Sequence, residues 1–424
     1  MTWKLSRARQ ASTIATPAAL ALRAGVLAAV LAACSSGAPS PASTAQTTVT
    51  PLSPTVTASL SATTLPSPTA RTVALLPKLP TSPLPAATSA ALQAVLASLV
   101  ARGAPDAIGA VMTAQGTWSG AAGIDGPAGR RATVADEFAI VSIGKIVLAA
   151  AVLRLAETGK VDLDAPLARY LGNLPLDANG ATVRQALAMR SGIGDTPSAL
   201  VDEARAHCGR VWTRLDVVPS VPRPYTSPGT TSAYSNPTYK LLAYAVEQVT
   251  GNPLDVALRD LVFSPAGMSR ILQQVPNRTT PSPWALPISG HEGGIDLAAY
   301  GVGGTLPCVG VSSFSFQGAI ASDAPTLAAW GWALFSGALL NQDSLLAMTA
   351  VTHGDHSSDP DWYGLGIERL SDFDSPAYGT RGSQSGYNSF LVILPERQIV
   401  AVLFINDSDA DVQAGVHRLV DAVP

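Results

Sequence analysis

The sequence predicts an α/β fold, with an antiparallel β-sheet flanked by helices and an inserted, mostly helical lobe. Early in the predicted domain, the short alternating runs Ala107–Met112 and Thr117–Ala122 are joined at Gln115-Gly116, as in a β-hairpin. Alternation returns in the tail of the chain, and the residues between these two regions show helical spacing. Strands at both ends with helices between them indicate one sheet built from the two ends of the chain.

A basic and then apolar segment opens the chain of 424 residues. Four basic residues precede the apolar run Ala24–Ala33, which is too short to span a bilayer, since that takes about 20 residues. Residues 1–33 are therefore interpreted as a secretory signal peptide. The sequence Leu31-Ala-Ala-Cys34 resembles the lipobox of bacterial lipoproteins, which implies an exported protein with a lipid on Cys34, anchored to the outer face of the bacterial cytoplasmic membrane. An ordinary signal peptide followed by an incidental cysteine is the alternative.

The rest of the chain divides by composition. Residues 34–85 are rich in Ser, Thr, Pro and Ala, and we expect a disordered linker there. The folded domain is predicted to span residues 86–424. Its sheet lobe would comprise about 86–160 and 310–424, and its helical lobe about 161–309.

Periodicity and terminating residues define the remaining elements of the domain. The predicted helices are Thr88–Arg102, Ile146 to the stop at Gly159, Tyr239–Thr250, Leu254–Phe263, Thr326–Phe335 and Asp411–Val423. The predicted strands of the tail are Trp362–Arg369, Ser385–Leu394 and Ile399–Asn406.

Ser142 and Lys145 lie three residues apart at the start of the most apolar helical stretch. Positions i and i+3 share a helix face, so the Lys145 amine should lie beside the Ser142 hydroxyl. Of the five lysines, only Lys145 has a serine three residues before it. Burial favours a neutral amine, which can accept the proton of a serine that attacks a carbonyl. Alone, this spacing also fits a serine near a helix N-cap and a lysine that reaches toward solvent.

Two more motifs contain residue types suited to the same chemistry. Tyr234-Ser-Asn236 would place a phenol for proton exchange beside an amide that can hold a substrate carbonyl. In Thr380-Arg-Gly382-Ser383, the glycine allows close backbone approach, so the Ser383 amide could join that of Ser142 as an oxyanion donor. A structural turn and a glycine-rich hairpin are the respective alternatives.

In this order, the three motifs resemble those of the serine β-lactamase and penicillin-binding family, in its class C-like branch of D-Ala-D-Ala carboxypeptidases and esterases. The resemblance runs from about Ala86 to the end of the chain. It implies an acyl-enzyme on Ser142, Lys145 as proton acceptor, and Tyr234 as acid and base for the leaving group and the water. The mechanism it implies needs no metal or other cofactor. The substrate-binding residues it implies are Asn236, Thr380, Gly382 and Ser383.

Two positions depart from the family pattern. Thr380 stands where relatives usually have a Lys or His that assists a substrate carboxylate, and Arg381 should point to the other face of its strand. Met189 stands where relatives often have His. These changes argue against assigning penicillin or D-Ala-D-Ala specificity.

Charge and cysteine and histidine content limit the classes of partner and ligand that we expect. The formal net charge is −3, and it becomes −7 once residues 1–33 with their four basic side chains are removed, so we expect no nucleic-acid binding. Cys208 and Cys308 could form a disulfide in an exported chain, or remain two free buried thiols. His353 and His356 with two nearby aspartates, Asp359 and Asp361, are metal-ligand types, but we expect a polar loop and no metal because no further His or Cys cluster supports a site.

Two functions remain in view. The first is an exported serine hydrolase that acts on a small-molecule or cell-wall-derived ester or amide, of esterase, D,D-peptidase or β-lactamase type. The second is a non-catalytic cell-envelope protein of the same fold that binds a ligand or partner. Turnover of an ester or lactam distinguishes them.

Overall fold

A seven-stranded antiparallel sheet forms the centre of the computed structural model, with strand order β3-β2-β1-β12-β11-β10-β9. Its strands are β1 Asp106–Thr113, β2 Gly116–Asp125, β3 Arg130–Arg131, β9 Glu368–Leu370, β10 Ala377–Gln384, β11 Tyr387–Leu394 and β12 Ile399–Ile405. The structure describes residues 73–125, 129–173, 175–206, 214–221, 223, 225–268, 272–273, 291–292, 295–296, 320–351, 363–384, 386–407 and 410–424. Strands from both ends of the chain share this sheet, which confirms the predicted fold class.

Apolar side chains cover both faces of the sheet. All seven residues of β12 are buried. Val402 and Phe404 of this strand join the core on one face, whereas Ala401 and Leu403 join the core on the other, because side chains alternate along a strand. The sheet is therefore a middle layer between two sets of helices.

The described helices surround this sheet. They are α1 Ala86–Ala101, α2 Gly144–Glu157, α3 Val183–Leu187, α4 Ser198–Ala206, α5 Arg214–Val217, α6 Asn236–Thr250, α7 Leu254–Leu258, α8 Ala324–Phe335, α9 Gln342–Thr349 and α10 Val412–Asp421. Helix α8 packs on β1 and β12 from one side, and α1 and α10 pack on the other side. Helix α2 is buried along almost its whole length, as its apolar sequence predicts. Among the described residues, no helix is long and apolar enough to cross a bilayer.

Short strands complete the described structure. A second sheet has the order β4-β8-β5, and β6 and β7 form a two-stranded ribbon. Their bounds are β4 Phe138–Ala139, β5 Leu272–Gln273, β6 His291–Glu292, β7 Ile295–Asp296 and β8 Ile320–Ser322. Strand β4 leads directly into the segment that contains the predicted nucleophile.

Residues 73–85, which the composition assigned to the linker, pack against the domain. Leu76 is buried, and its N–H donates to the Phe335 carbonyl at 2.9 Å. The Trp332 indole donates to the Pro77 carbonyl at 2.8 Å. The expectation of disorder was wrong for these residues, because buried leucines and several tertiary hydrogen bonds hold a proline-rich segment in place.

Two elements of the second half also differ from prediction. Helix α9 was not predicted, although Asn341 caps it by accepting from the Ser344 N–H at 2.9 Å. The predicted strand Trp362–Arg369 begins later, since β9 starts at Glu368. Several predicted features lie outside the described residues: the signal peptide, residues 34–72 of the linker, Cys34, Cys208, Cys308 and the His353–Asp361 loop.

Candidate active site

Ser142 lies at the junction between β4 and α2. It is the middle residue of a 3₁₀ turn, Val141–Ile143, that runs directly into the helix. Val141 has φ +48°, a left-handed conformation that is strained for a β-branched residue. Such strain persists only where the surrounding structure imposes it, and here Val141 is buried in the core. The backbone thus holds Ser142 in one orientation at the start of α2.

The predicted catalytic side chains meet at the Ser142 hydroxyl. Lys145 Nζ donates to Ser142 Oγ at 3.2 Å. Tyr234 Oη lies 2.7 Å from the same Oγ, although 92 residues separate the two in sequence. A nucleophile between a potential base and a potential acid is the arrangement that covalent catalysis requires.

Lys145 is enclosed by the protein. Its side chain is 1% exposed, with Nζ 4.6 Å from the centre of the Tyr234 ring and 5.8 Å from that of Tyr239. Burial lowers the pKa of Lys145 to about 7, and the negative charges of Asp195 and Glu368 limit this fall. Near pH 7 a large fraction of the lysine is therefore neutral and able to accept a proton.

Tyr234 has the opposite tendency. Burial raises the pKa of its phenol, while the hydrogen bond with Ser142 acts in the other direction. The resting phenol is therefore protonated and can donate to an oxygen or nitrogen that leaves the substrate.

The Tyr234 turn is held from both sides by Met189. The Met189 carbonyl accepts from the Ala233 N–H at 2.9 Å, and its Sδ accepts from the Ser235 N–H at 3.4 Å. Ser235 then caps α6, because its Oγ accepts from the Thr238 N–H at 3.2 Å. Relatives often have histidine at the position of Met189. Here, Met189 positions the residues on either side of Tyr234.

Asn236 is oriented by a carboxylate that the motif did not reveal. Its N–H donates to Asp195 Oδ1 at 3.0 Å, and its Nδ2 donates to Asp195 Oδ2 at 3.3 Å. Asp195 is exposed and lies 41 residues earlier in sequence, so no local spacing could have indicated this contact. The predicted substrate-binding amide therefore lies next to a negative charge.

Gly382 brings β10 against the backbone that precedes Ser142. A Cβ at this position would lie 2.3 Å from the Ile140 carbonyl oxygen, so only glycine fits. Ser389 Oγ on β11 donates to that same carbonyl at 3.1 Å. Ser383 follows on β10 with an exposed side chain, and the oxyanion role of its amide stays a prediction.

Thr380 is hydrogen-bonded to a second carboxylate. Its hydroxyl donates to Glu368 Oε1 at 2.7 Å, and Glu368 pairs across the sheet with Gly379. Burial raises the pKa of Glu368, whereas the Thr380 hydrogen bond and Lys145 lower it. Sequence reasoning missed Glu368, because only the β9–β10 register places it beside the third motif.

Arg381 does not replace the missing cation of that motif. Its Nε donates to Asn388 Oδ1 at 2.9 Å, and Asn388 in turn donates to the Ala410 carbonyl next to α10. This contact lies on the opposite face of β10 from Gly382, as alternation predicts. In the described part of the chain, no group of three or more His, Cys, Asp or Glu side chains is placed to hold a metal ion.

Comparison with known proteins places this geometry in a family. The family model described as Beta-lactamase matches residues 92–423. The chain belongs to the beta-lactamase family. Within it, the chain is 26% identical over 282 residues to the "Putative penicillin-binding protein PbpX" of Bacillus subtilis (strain 168), a match that covers 63% of this chain and 62% of that protein.

Two further similarities fall in the same family. Over 157 residues, or 34% of this chain and 40% of the relative, the chain is 31% identical to "Esterase EstB" of Burkholderia gladioli. A crystal structure of a D-stereospecific amidohydrolase from Streptomyces sp. superposes with a TM-score of 0.65 at 26% identity, covering 79% of this chain and 98% of that one. The antiparallel sheet with its flanking helices is thus the fold of β-lactamase-like proteins.

Proposed function

We propose that this chain is a serine hydrolase that forms an acyl-enzyme on Ser142 from an ester or amide. The observation that carries the proposal is the hydrogen bonding of one hydroxyl, Ser142 Oγ, to both Lys145 Nζ and Tyr234 Oη. The pKa of Lys145 at about 7 makes the neutral amine available at physiological pH. The relatives named as an esterase and as a D-stereospecific amidohydrolase support an ester or amide as substrate.

In acylation, Lys145 takes the proton of Ser142 as Oγ attacks the carbonyl carbon. The negative oxygen that forms would be stabilised by the backbone N–H groups of Ser142 and Ser383. The bond to the leaving group then breaks, and Tyr234 donates a proton to the departing atom while the Lys145 ammonium returns its proton to the phenol. A water molecule repeats the sequence in deacylation, which releases the acid and restores the Ser142 hydroxyl.

A fluorophosphonate probe tests this proposal. Intact-protein mass spectrometry should show one added label on the wild type and none on Ser142→Ala. Ser264→Ala is the matched control, because Ser264 is an exposed serine after α7. This variant should still be labelled on Ser142. A wild type that remains unlabelled, yet binds a cell-wall fragment, would favour the non-catalytic alternative.

We also propose that the protein is exported and lipid-anchored through Cys34, on the strength of the N-terminal sequence pattern. Cells grown with an alkyne fatty acid should yield labelled mature protein, beginning at Cys34, in the membrane fraction. Cys34→Ser should lose the label and leave the membrane fraction. Unlabelled wild-type protein would contradict the anchor while leaving the proposed chemistry intact.

A further inference from the structure

The charges that act on the catalytic groups are negative. Among the described residues, the charged side chains that perturb both the Lys145 amine and the Tyr234 phenol are the carboxylates of Asp195 and Glu368. Arg381 is turned to the opposite face of β10, toward Asn388. With Lys145 largely neutral above pH 7, the charged groups of the described residues that act on both Lys145 and Tyr234 are carboxylates, which repel an anion.

Glu368 is partly exposed beside the third motif, where it accepts the hydrogen bond from Thr380. The fold around it imposes a desolvation cost on its charge. Its hydrogen-bond partner in the described structure is a neutral hydroxyl, that of Thr380, which cannot balance the negative charge.

Both carboxylates lie close enough to the Tyr234 phenol to raise its pKa. Tyr234 donates to the leaving group in the proposed mechanism, and the fields of Asp195 and Glu368 both reach the Tyr234 phenol. Asp195 additionally holds Asn236, two residues after Tyr234. A leaving group beside this phenol therefore enters a negative environment.

Resting on the proposed function, we propose that the site selects esters or amides whose leaving group carries a small ammonium group, with Glu368 as the specificity-determining residue. A cation there is attracted by two carboxylates, of which Glu368 is partly desolvated, whereas a carboxylate is repelled by both. Thr380 keeps the Glu368 carboxylate in place, and the lysine that relatives use at this position would neutralise it. The acyl transfer itself is unchanged: with the proton from Tyr234, an ester releases an alcohol that carries the ammonium group, and an amide releases an amine that carries it.

Three butyrate esters test the inference, because they share an acyl group and differ in the charge of the alcohol. They are the choline ester, its uncharged isostere the 3,3-dimethylbutyl ester, and the carboxymethyl ester. Wild-type kcat/KM, measured by pH-stat, should be about tenfold higher for the choline ester than for the isostere, and lowest for the carboxymethyl ester. Equal values, or a preference for the carboxylate, would overturn the inference.

The variant Glu368→Gln tests whether the preference for a cationic leaving group depends on Glu368. The ratio of kcat/KM for the choline ester to that for its isostere should fall about tenfold, and a ratio within one protein is insensitive to partial loss of folded material. Glu396→Gln is the matched control, since it makes the same change in an exposed turn between β11 and β12 and should keep the wild-type ratio. An unchanged ratio in Glu368→Gln would remove the assignment.

The two proposals can fail separately. Hydrolysis of the uncharged ester and labelling of Ser142, without preference for choline, would refute the charge selection alone. Absence of both label and turnover in the wild type would refute the proposed function, and the selection with it.

Discussion

The two halves of the candidate site are held by different forces. Ser142 lies in the 3₁₀ turn before α2, and Lys145 lies in the first turn of α2, which is buried among apolar side chains and has no side-chain cap. Tyr234 lies in a polar turn that leads into Asn236, the first residue of α6, and hydrogen bonds to Met189 and Asp195 hold this segment. Packing positions the first half, and directional contacts position the second.

This difference predicts how each half responds to substitution. Replacing a polar group on a buried helix by an apolar one should not reduce the stability of the protein, because apolar packing maintains the helix backbone. A turn that depends on hydrogen bonds loses its geometry when a donor or acceptor is removed. Four experiments test this difference.

Lys145→Met should have the largest effect on activity and stabilise the fold. Loss of the base should reduce kcat/KM by about 10³-fold or more. The folded-state pKa of about 7 lies below the ordinary lysine value of 10.5, so burial penalises the ammonium fully below pH 7 and ceases to do so above about 10.5. Urea unfolding should show the variant more stable by on the order of 3 kcal/mol at pH 6, with a smaller gain at pH 9. A less stable variant at pH 6 would contradict this account.

Tyr234→Phe should reduce kcat/KM by about 10²-fold, because the ring remains and only the proton-donating hydroxyl is lost. The effect should be greatest for amides, whose nitrogen must be protonated to leave. Steady-state kinetics with an amide and an activated aryl ester of the same acid measure this difference. Equal losses for both substrates would argue against a role of the phenol in leaving-group protonation.

The pH profile reports on the buried lysine. For an uncharged ester, kcat/KM should rise about tenfold per pH unit below pH 7 and level off above it, because the base must be neutral. Glu368→Gln removes a charge that raises the pKa of Lys145, so its profile should shift toward lower pH. A profile that falls between pH 6 and 8 would contradict Lys145 as the base.

Met189→Leu should have the smallest effect, confined to the polar turn. The substitution conserves volume but removes the sulfur that accepts from the Ser235 N–H. We expect a loss of about 1 kcal/mol in stability and a decrease of about threefold in kcat/KM. Met348→Leu is the control, since Met348 is equally buried but lies on α9, and thermal unfolding with kinetics on both variants makes the comparison. Equal losses of stability and of kcat/KM in the two variants would contradict a positioning role for Met189.

Sequence reasoning was most successful where the controlling interactions are local. The i, i+3 spacing of Ser142 and Lys145 and the apolar helix around them are periodic features, and the structure contains both. The alternation that gave the face of Arg381 is equally local. These features follow from backbone geometry, so a short stretch of sequence is enough to predict them.

The residues that were missed depend on register and distance. Glu368 reaches Thr380 through β-pairing, and Asp195 reaches Asn236 across 41 positions. The positive φ of Val141 is imposed by its surroundings, since a β-branched residue does not favour it. Burial of Leu76 likewise depends on a pocket formed by distant residues. No composition or short-range pattern contains this information.

The pairing of β1 with β12 has a consequence for folding. These adjacent strands lie in the middle of the sheet, and Asn406, just after β12, donates through two N–H groups to Asp106, 300 positions earlier. Closing so long a loop is entropically costly, and chains dominated by such distant contacts fold slowly. During synthesis, the edge of β1 that pairs with β12 therefore stays open until β12 has been made, and an open strand edge can pair with another chain.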